Sequence, residues 1–396
     1  MKNLNKINWG KIKLDDACSF VRGVVFSTKD EVDSGGKPIL RSHNVDFENN
    51  KVSLHNLKFV SNSVKVKAAQ KLMKDDILIS VANSKEQTGK VGFSYSDTDA
   101  YAGGFMAILK PKSEAIIPFY LFVNLLSPKS KNFIEGGTQG TTNIFNITFE
   151  RIKDLEIPLP PLEEQQRIAD LFQSIEQSIA QAEAQEENLL NLKNQLLRDL
   201  FGEKQQLSSY LKANDFEKVK FEKLAHNISE RVEPKETSLT TYVGLEHLES
   251  DDLVIRRKGK PEDVIGTKLK IYKGDIIFGK RRAYLRKVAV SDFDGIASAH
   301  SMILRANEQN IEKDFLPYFM QSDEFMSRAV QISEGSLSPT IKWKVLAKQE
   351  FNIPKKEKQK SLAELFKQFD TTREEIKRQT VTLKMLKQKL LNEILG

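Results

Sequence analysis

The sequence predicts an α+β protein: two pseudo-repeated globular bodies separated by two long antiparallel coiled-coil helices. Three observations carry that prediction. The chain repeats itself, each copy ends in an apolar seam at alternating three- and four-residue steps, and the two bodies share a series of short strand patterns. A shift of 194 residues aligns residues 166–202 with 360–396. It places Ala169, Leu171, Phe172, Gln185, Leu189, Leu192, Lys193, Leu196, Leu197 and Gly202 on identical residues.

In chain order, the first body opens on Trp9-Gly10-Lys11-Ile12-Lys13-Leu14 and the second on Phe216-Glu217-Lys218-Val219-Lys220-Phe221. Both alternate apolar with polar residues as a half-buried strand does. Residues 74–81 match 273–280, each a short apolar strand after a polar turn, and residues 90–93 and 287–290 follow as second strands. Residues 107–109 and 302–304 are their later partners. An aromatic helix comes next in each copy, at 117–122 and 315–320, with proline in its first turn, where a missing N–H costs nothing. Small-residue loops at 136–143 and 335–340 then lead to an amphipathic strand, an Ile-Pro pair and the long helix. Each body therefore reads as one α+β domain.

The seam of the first helix reads Ile168, Leu171, Ile175, Ser178, Ala182, Gln185, Leu189, Leu192, Leu196 and Asp199. The second answers with Leu362, Leu365, Phe369, Thr372, Ile376, Gln379, Leu383, Leu386, Leu390 and Glu393. Polar layers at Ser178/Thr372 and Gln185/Gln379 are expected to fix register. Residues 162–202 carry a net charge of −5 and residues 355–396 one of +5, which favours pairing with each other over self-association. Antiparallel pairing predicts a pseudo-twofold molecule with one body at each end of a rod.

The chain of 396 residues, 39% hydrophobic, is long enough for two cores. Its single cysteine, Cys18, excludes an internal disulfide framework and a four-cysteine zinc site, and points to a reducing cytoplasm. The five histidines lack metal-ligand spacing, so no metal or cofactor is expected. No apolar run approaches the roughly 18 residues of a membrane span, and no signal peptide is expected. The net charge of +7 suits a polyanionic partner, and its excess lies in the bodies, +5 in residues 1–161 and +2 in 203–354. The sequence holds no phosphate-binding Gly-x-x-x-x-Gly-Lys-Ser/Thr loop, amino-methyltransferase element or nuclease pattern, which points away from catalysis.

The lead-in Ile157-Pro158-Leu159-Pro160-Pro161-Leu162-Glu163-Glu164-Gln165 to a coiled-coil helix, repeated behind a second and unlike body, resembles the DNA specificity subunits of type I restriction-modification systems. The resemblance covers the whole chain. It is specific at the first helix and looser at the second, where Lys355-Lys356-Glu357-Lys358-Gln359 replaces the proline-rich stretch with two residues fewer. It implies target recognition domains at 1–156 and 203–352, each reading one half of a bipartite, asymmetric sequence in double-stranded DNA. It implies conserved spacer helices at 157–202 and 353–396 that bind two modification (methyltransferase) subunits, with restriction subunits joining the complex. The physics agrees: two unlike heads on a rigid rod make a ruler whose length sets an unread spacer. The alternative is a non-catalytic coiled-coil adaptor with two protein-binding heads.

For base reading the leading cluster is Lys280, Arg281, Arg282, Tyr284 and Arg286, because arginine grips guanine with two hydrogen bonds and tyrosine stacks or holds phosphate. A solvated basic hairpin is the plain alternative. The counterpart in the first body is Asn83, Ser84, Lys85, Gln87, Thr88 and Lys90, whose amides and hydroxyls suit adenine or phosphates. Gln139, Thr141, Thr142 and Asn143, with Ser336, Ser338 and Thr340, are further candidates. Arg256, Arg257, Lys258 and Lys260 are expected phosphate contacts, and His43, His247 and His300 are weaker candidates. Ile179, Leu190, Leu197, Phe201, Phe366, Met385 and Ile394, off the seam, are the expected docking residues for modification subunits.

Overall fold

A computed structural model describes residues 9–46, 49–84, 87–137, 139–141, 144–202 and 211–396. The chain forms two compact units, residues 1–183 with 378–396, and residues 184–377. Each unit is a globular body plus one half of each long helix, Leu162–Phe201 and Lys356–Leu395.

In the first unit, Gly10–Lys13 pairs antiparallel with Glu156–Leu159, the strand that runs into the first long helix. The central sheet has the order Cys18–Arg22, Met106–Pro111, Ile77–Ser80, Val91–Phe93, all antiparallel. Ile77–Ser80, Val91–Phe93 and residues 106–109 are buried on both faces, and strand alternation sorts them into two cores, while the edge strand Cys18–Arg22 is partly exposed. Ile77, Ile79, Ala107 and Leu109 pack with Phe119 and Phe122 of the helix Pro118–Leu125. Leu78, Met106 and Ile108 point the other way, to Leu40 and Ala102 of a second sheet. The next helix, Pro128–Glu135, starts at Ser127, whose hydroxyl accepts from Ser130 N–H at 3.2 Å.

The second unit repeats the plan. Phe216–Lys220 pairs with Glu350–Pro354, and the central sheet runs Ala225–Ile228, Met302–Ala306, Ile276–Phe278, Val288–Val290. Ile276, Phe278, Met302 and Leu304 face Phe315 and Phe319, while Ile277, Ala289 and Ile303 face Val243 and Ile271 of the other sheet. Ser322 caps the helix Asp323–Gln331 as Ser127 caps its counterpart. Each body is thus helices, sheet and second sheet in layers.

The second lead-in is intact, contrary to the expectation of two lost residues. The 194-residue shift carries Pro160 onto Pro354 and Gln165 onto Gln359, and both glutamines are fully buried. Gln165 Nε2 donates to the carbonyls of Pro160 and Ala115, each at 2.9 Å, and its Oε1 accepts from Ile117 N–H at 2.9 Å. Gln359 donates to Pro354 O and accepts from Glu312 N–H, both at 2.8 Å. The glutamine, rather than the prolines around it, is the part that ties helix to body, so lysines substitute for Pro161 and Leu162 without loss.

The helices pair antiparallel in each unit, and the expected seam is half right. One column stands as read, with Ile168, Ile175 and Ala182 buried on the first helix and Leu390 on the second. The other lies one residue further on. Phe172, Ile179, Lys193 and Leu200 are buried, with Phe366, Thr380, Lys387 and Ile394 on the second helix. Leu192, Leu365 and Leu386 are instead 50%, 40% and 42% exposed, and Thr372, Gln185 and Gln379 are exposed as well. The true column contains lysines, which a hydrophobic pattern rejects.

Opposite charges do join the helices. In the first unit Lys387 meets Glu176 at 2.9 Å and Lys384 meets Glu183 at 2.9 Å. In the second, Arg373 meets Glu186 at 3.3 Å and Lys193 meets Asp370 at 2.7 Å. Five of the expected docking residues are consequently core residues. Ile179 and Ile394 are buried in the first unit, and Leu197, Phe201 and Phe366 in the second. Leu190 is half-buried and Met385 is 68% exposed. Among the described residues no helix is long and apolar enough to cross a membrane.

Candidate nucleic-acid interface

Two stretches that lie more than fifty residues apart meet in the second unit. After the strand Ile276–Phe278, the chain passes through Lys280, Arg281 and Arg282 and turns at Ala283–Leu285. It is held against residues 338–341: Ile341 N–H donates to Lys280 O at 3.0 Å, Arg282 N–H to Pro339 O at 2.8 Å, and Arg282 Nη2 to Ser338 Oγ at 3.3 Å. Arg281 and Thr340 bridge as adjacent strands do. The candidates at 280–286 and at 336–340 therefore form one surface, with Ser336 exposed beside it.

The loop is unusual in its backbone. Arg282 and Arg286 both adopt left-handed conformations, at φ 57° and 53°, on either side of the turn. Such a conformation is uncommon for a residue with a side chain and needs support from its surroundings. Arg286 supplies that support. Its guanidinium reaches Asp251 at 2.7 Å, Asp323 at 2.9 Å and Gln321 O at 2.6 Å, so it braces the loop and is not free to reach DNA.

Lys280, Arg281 and Arg282 face no carboxylate within ion-pair distance among the described residues, whereas Tyr284 is 54% exposed. Burial and then the neighbouring Arg231 lower the Lys280 pKa. The His300 ring, 3.2 Å from Arg281 Nη1, is held below its ordinary pKa by burial and then by Arg281, Lys280 and Lys268. Uncompensated positive charge on a braced loop is what a phosphate or the acceptor edge of guanine would neutralise.

The first unit makes the same juxtaposition with different chemistry. Ala82–Asn83 pairs with Ile144–Asn146, which pairs with Gln139–Thr141. Ile147 N–H donates to Val81 O at 2.9 Å, the counterpart of the Ile341 to Lys280 bond. Asn83 Nδ2 donates to Ser42 Oγ at 2.5 Å and Asn83 Oδ1 accepts from Ser84 N–H at 2.7 Å. Thr88 is buried, its hydroxyl 2.9 Å from Ser84 O and 3.2 Å from Phe145 O, and so staples the loop from inside. Gln87 N–H bonds back to Ser84 O, and Lys90 precedes the strand Val91–Phe93. Of the other candidates, Gln139 and Thr141 are described only as strand backbone, while Lys85, Thr142 and Asn143 lie outside the described residues.

The expected phosphate contacts at 256–260 are largely engaged elsewhere. Arg256 pairs with Asp252 at 2.9 Å and with Glu374, Arg257 pairs with Glu249 at 2.6 Å, and Lys258 lies over the Phe293 ring. His247 Nδ1 accepts from Gly244 N–H at 3.1 Å, and His43 Nε2 lies 3.3 Å from Asn56 O. One residue beside the first interface escaped the sequence reading. Phe105, 68% exposed, sits on a turn whose carbonyl accepts from Val81 N–H at 2.9 Å and Ala82 N–H at 3.3 Å. The signal was an aromatic directly after Gly103-Gly104.

Known proteins share this plan. The chain is 24% identical over 399 residues to a putative type I restriction enzyme MjaX specificity subunit of Methanocaldococcus jannaschii, covering 98% of this chain and 93% of that one. It is 25% identical over 309 residues to the type I restriction enzyme MjaVIII specificity subunit of the same organism, covering 73% and 72%. Its fold matches the crystal structure of a type I restriction-modification system S subunit from M. genitalium with a TM-score of 0.60, at 17% identity, over 100% of this chain and 98% of that one. Residues 6–192 and 241–384 match the family described as type I restriction modification DNA specificity domain. With the first body, most of the second and most of both long helices inside the family match, the chain belongs to the type I restriction-modification DNA specificity domain family.

Proposed function

We propose that this chain is the sequence-specific DNA-binding specificity subunit of a type I restriction-modification complex, working in the cytoplasm and doing no chemistry of its own. Each body reads one half of a bipartite, asymmetric target in double-stranded DNA. The observation that carries the reading is the twin juxtaposition of loops, with Lys280, Arg281 and Arg282 beside Ser338 and Thr340 in one unit and Asn83 beside the strand 144–146 in the other. On this reading the length of the long helices sets the unread spacer.

The column misread as seam supplies a docking surface. Leu192 and Leu386 occupy repeat-equivalent positions and are both about half exposed, with Met385 and Val381 beside the latter at 68% and 56%. Apolar side chains exposed on charged helices mark association sites. Two repeat-equivalent leucines suit two modification subunits, with restriction subunits joining the assembled complex; Asn191 and Glu187 stand where the second helix has Met385 and Val381.

The test is competition binding by the purified complex with its modification subunits, using genomic fragments against random duplex. The account expects a preferred set of fragments whose binding weakens steeply as salt rises, through counterion release. A complex that binds all duplexes alike would favour an adaptor with protein-binding heads instead.

A further inference from the structure

Phe105 and His300 occupy the same place in the two units. In the first, Met106 N–H closes a turn onto Gly103 O at 2.8 Å, with Phe105 as its third residue. In the second, Ser301 N–H closes the equivalent turn onto Ser298 O at 2.9 Å, with His300 third. His300 stands against Arg281, inside the cationic surface. Phe105 stands where its carbonyl takes the N–H groups of Val81 and Ala82, immediately before Asn83.

The Phe105 turn is rigidly backed. Gly103 N–H donates to Leu40 O at 2.8 Å, Gly23 N–H to Met106 O at 3.0 Å and Val24 N–H to Ala102 O at 2.7 Å. Gly23 passes so close that a Cβ there would lie 1.8 Å from Gly103 O, and one on Gly103 would lie 2.9 Å from Leu40 O. Two glycines are thus committed to holding a turn whose tip carries an exposed phenyl ring. Val25, 84% exposed, lies against Gly104 and extends the apolar tip. A large ring kept mostly in water on a fixed backbone loses little freedom on binding and gains the burial of the apolar area it now exposes.

We propose that Phe105 is an apolar DNA contact, a wedge that enters the groove of the half-site read by the first body and packs against one base step, partly unstacking it. Proteins that deform DNA place phenylalanine, leucine or methionine in this way. The inference rests on the DNA-reading function proposed above and adds a specificity device to it, since flexible pyrimidine–purine steps open at lower cost than others. His300 takes the same position in the second body with a ring that can also donate or accept a hydrogen bond.

The test uses the full chain assembled with its modification subunits, on duplexes carrying the target mapped from methylated genomic DNA. The first body's half-site is the half whose recognition survives Arg281→Ala. 2-Aminopurine is placed at each position of that half in turn. The expected result is a fluorescence rise at one step with the wild type and with Phe105→Trp, absent with Phe105→Ala. Phe105→Ala also binds on the order of tenfold more weakly, with an unchanged salt slope because no cation is removed. Its discrimination at the other half-site and its melting temperature stay as in the wild type. Wild-type affinity and fluorescence in Phe105→Ala would overturn the wedge while leaving the DNA-reading function standing. A loss shared by random DNA, or a lowered melting temperature, would also overturn it, by assigning Phe105 to turn packing. If the wild-type complex prefers no duplex at all, the function itself fails, and the wedge with it.

Discussion

Lys193 and Asp370 form a 2.7 Å ion pair between the two long helices, with the lysine side chain 2% exposed. Close by, the Tyr318 hydroxyl pKa is raised by burial and then by the Asp370 carboxylate. The 194-residue repeat carries this arrangement onto Lys387 and Glu176 in the other unit, 2.9 Å apart, where Tyr95 Oη donates to Glu176 at 2.5 Å. Burial lowers the Lys193 pKa, and Asp370 opposes the shift without reversing it. The pair therefore carries a desolvation cost that attraction offsets only in part. Removing one partner strands the other. Lys193→Met is expected to destabilise the fold by about 3 kcal/mol, and the double variant Lys193→Met, Asp370→Leu to recover most of that loss. Urea unfolding of both variants checks it.

Asp252 holds the second body to its helix, accepting from Arg256 at 2.9 Å and Lys377 at 3.3 Å, with Arg373 at 3.7 Å. Burial alone would raise its pKa. The Val254 N–H bond, Arg256 and Lys377 outweigh burial and lower it. A carboxylate with a depressed folded-state pKa contributes stability that is fully present above its unfolded value and disappears as pH falls through the folded one. Asp252→Asn should cost about 2 kcal/mol at pH 7. The gap to wild type should close on acidification below pH 4, as denaturant midpoints measured across pH would register.

Leu192 and Leu386 are expected to seat one modification subunit each. Leu386→Asp leaves the buried seam untouched, so the chain should fold and the complex should carry one modification subunit in place of two. Native mass spectrometry reads the stoichiometry directly.

Arg281 and Arg286, five positions apart, should fail differently. Arg281→Ala removes a cation that faces no carboxylate, so binding weakens and the salt slope falls by about 0.9 if the contact is to phosphate. Arg286→Ala removes the brace to Asp251, Asp323 and Gln321 O. It should lower the melting temperature of the chain even without DNA. Thermal melts and salt titrations of the two variants separate these roles.

Much of the fold was legible because the repeat made each unit confirm the other. The strands at 77–80 and 276–278, the helices behind Pro118 and Pro317 and the lead-in to Leu162 all lie where pattern and turn chemistry put them. The seam went wrong where charge went inward. Reading by hydrophobicity selected Leu192 over Lys193 and Leu386 over Lys387, and only the packed structure shows the lysines buried against acids from the facing helix. The site was legible as composition but not as geometry. No local signal joins Arg282 to Pro339, or distinguishes Arg286 as a brace from Arg281 as a reader. Phe105 was missed because an exposed aromatic on a turn carries no periodicity.

The claim that each body reads its own half-site is tested most directly by mapping methylated bases genome-wide in cells carrying the wild-type chain or Arg281→Ala. The account predicts one bipartite motif for the wild type, and for the variant a motif relaxed in one half only, with the other half and the spacer unchanged. Methylation that is indifferent to this chain, or a variant that blurs both halves together, would contradict it.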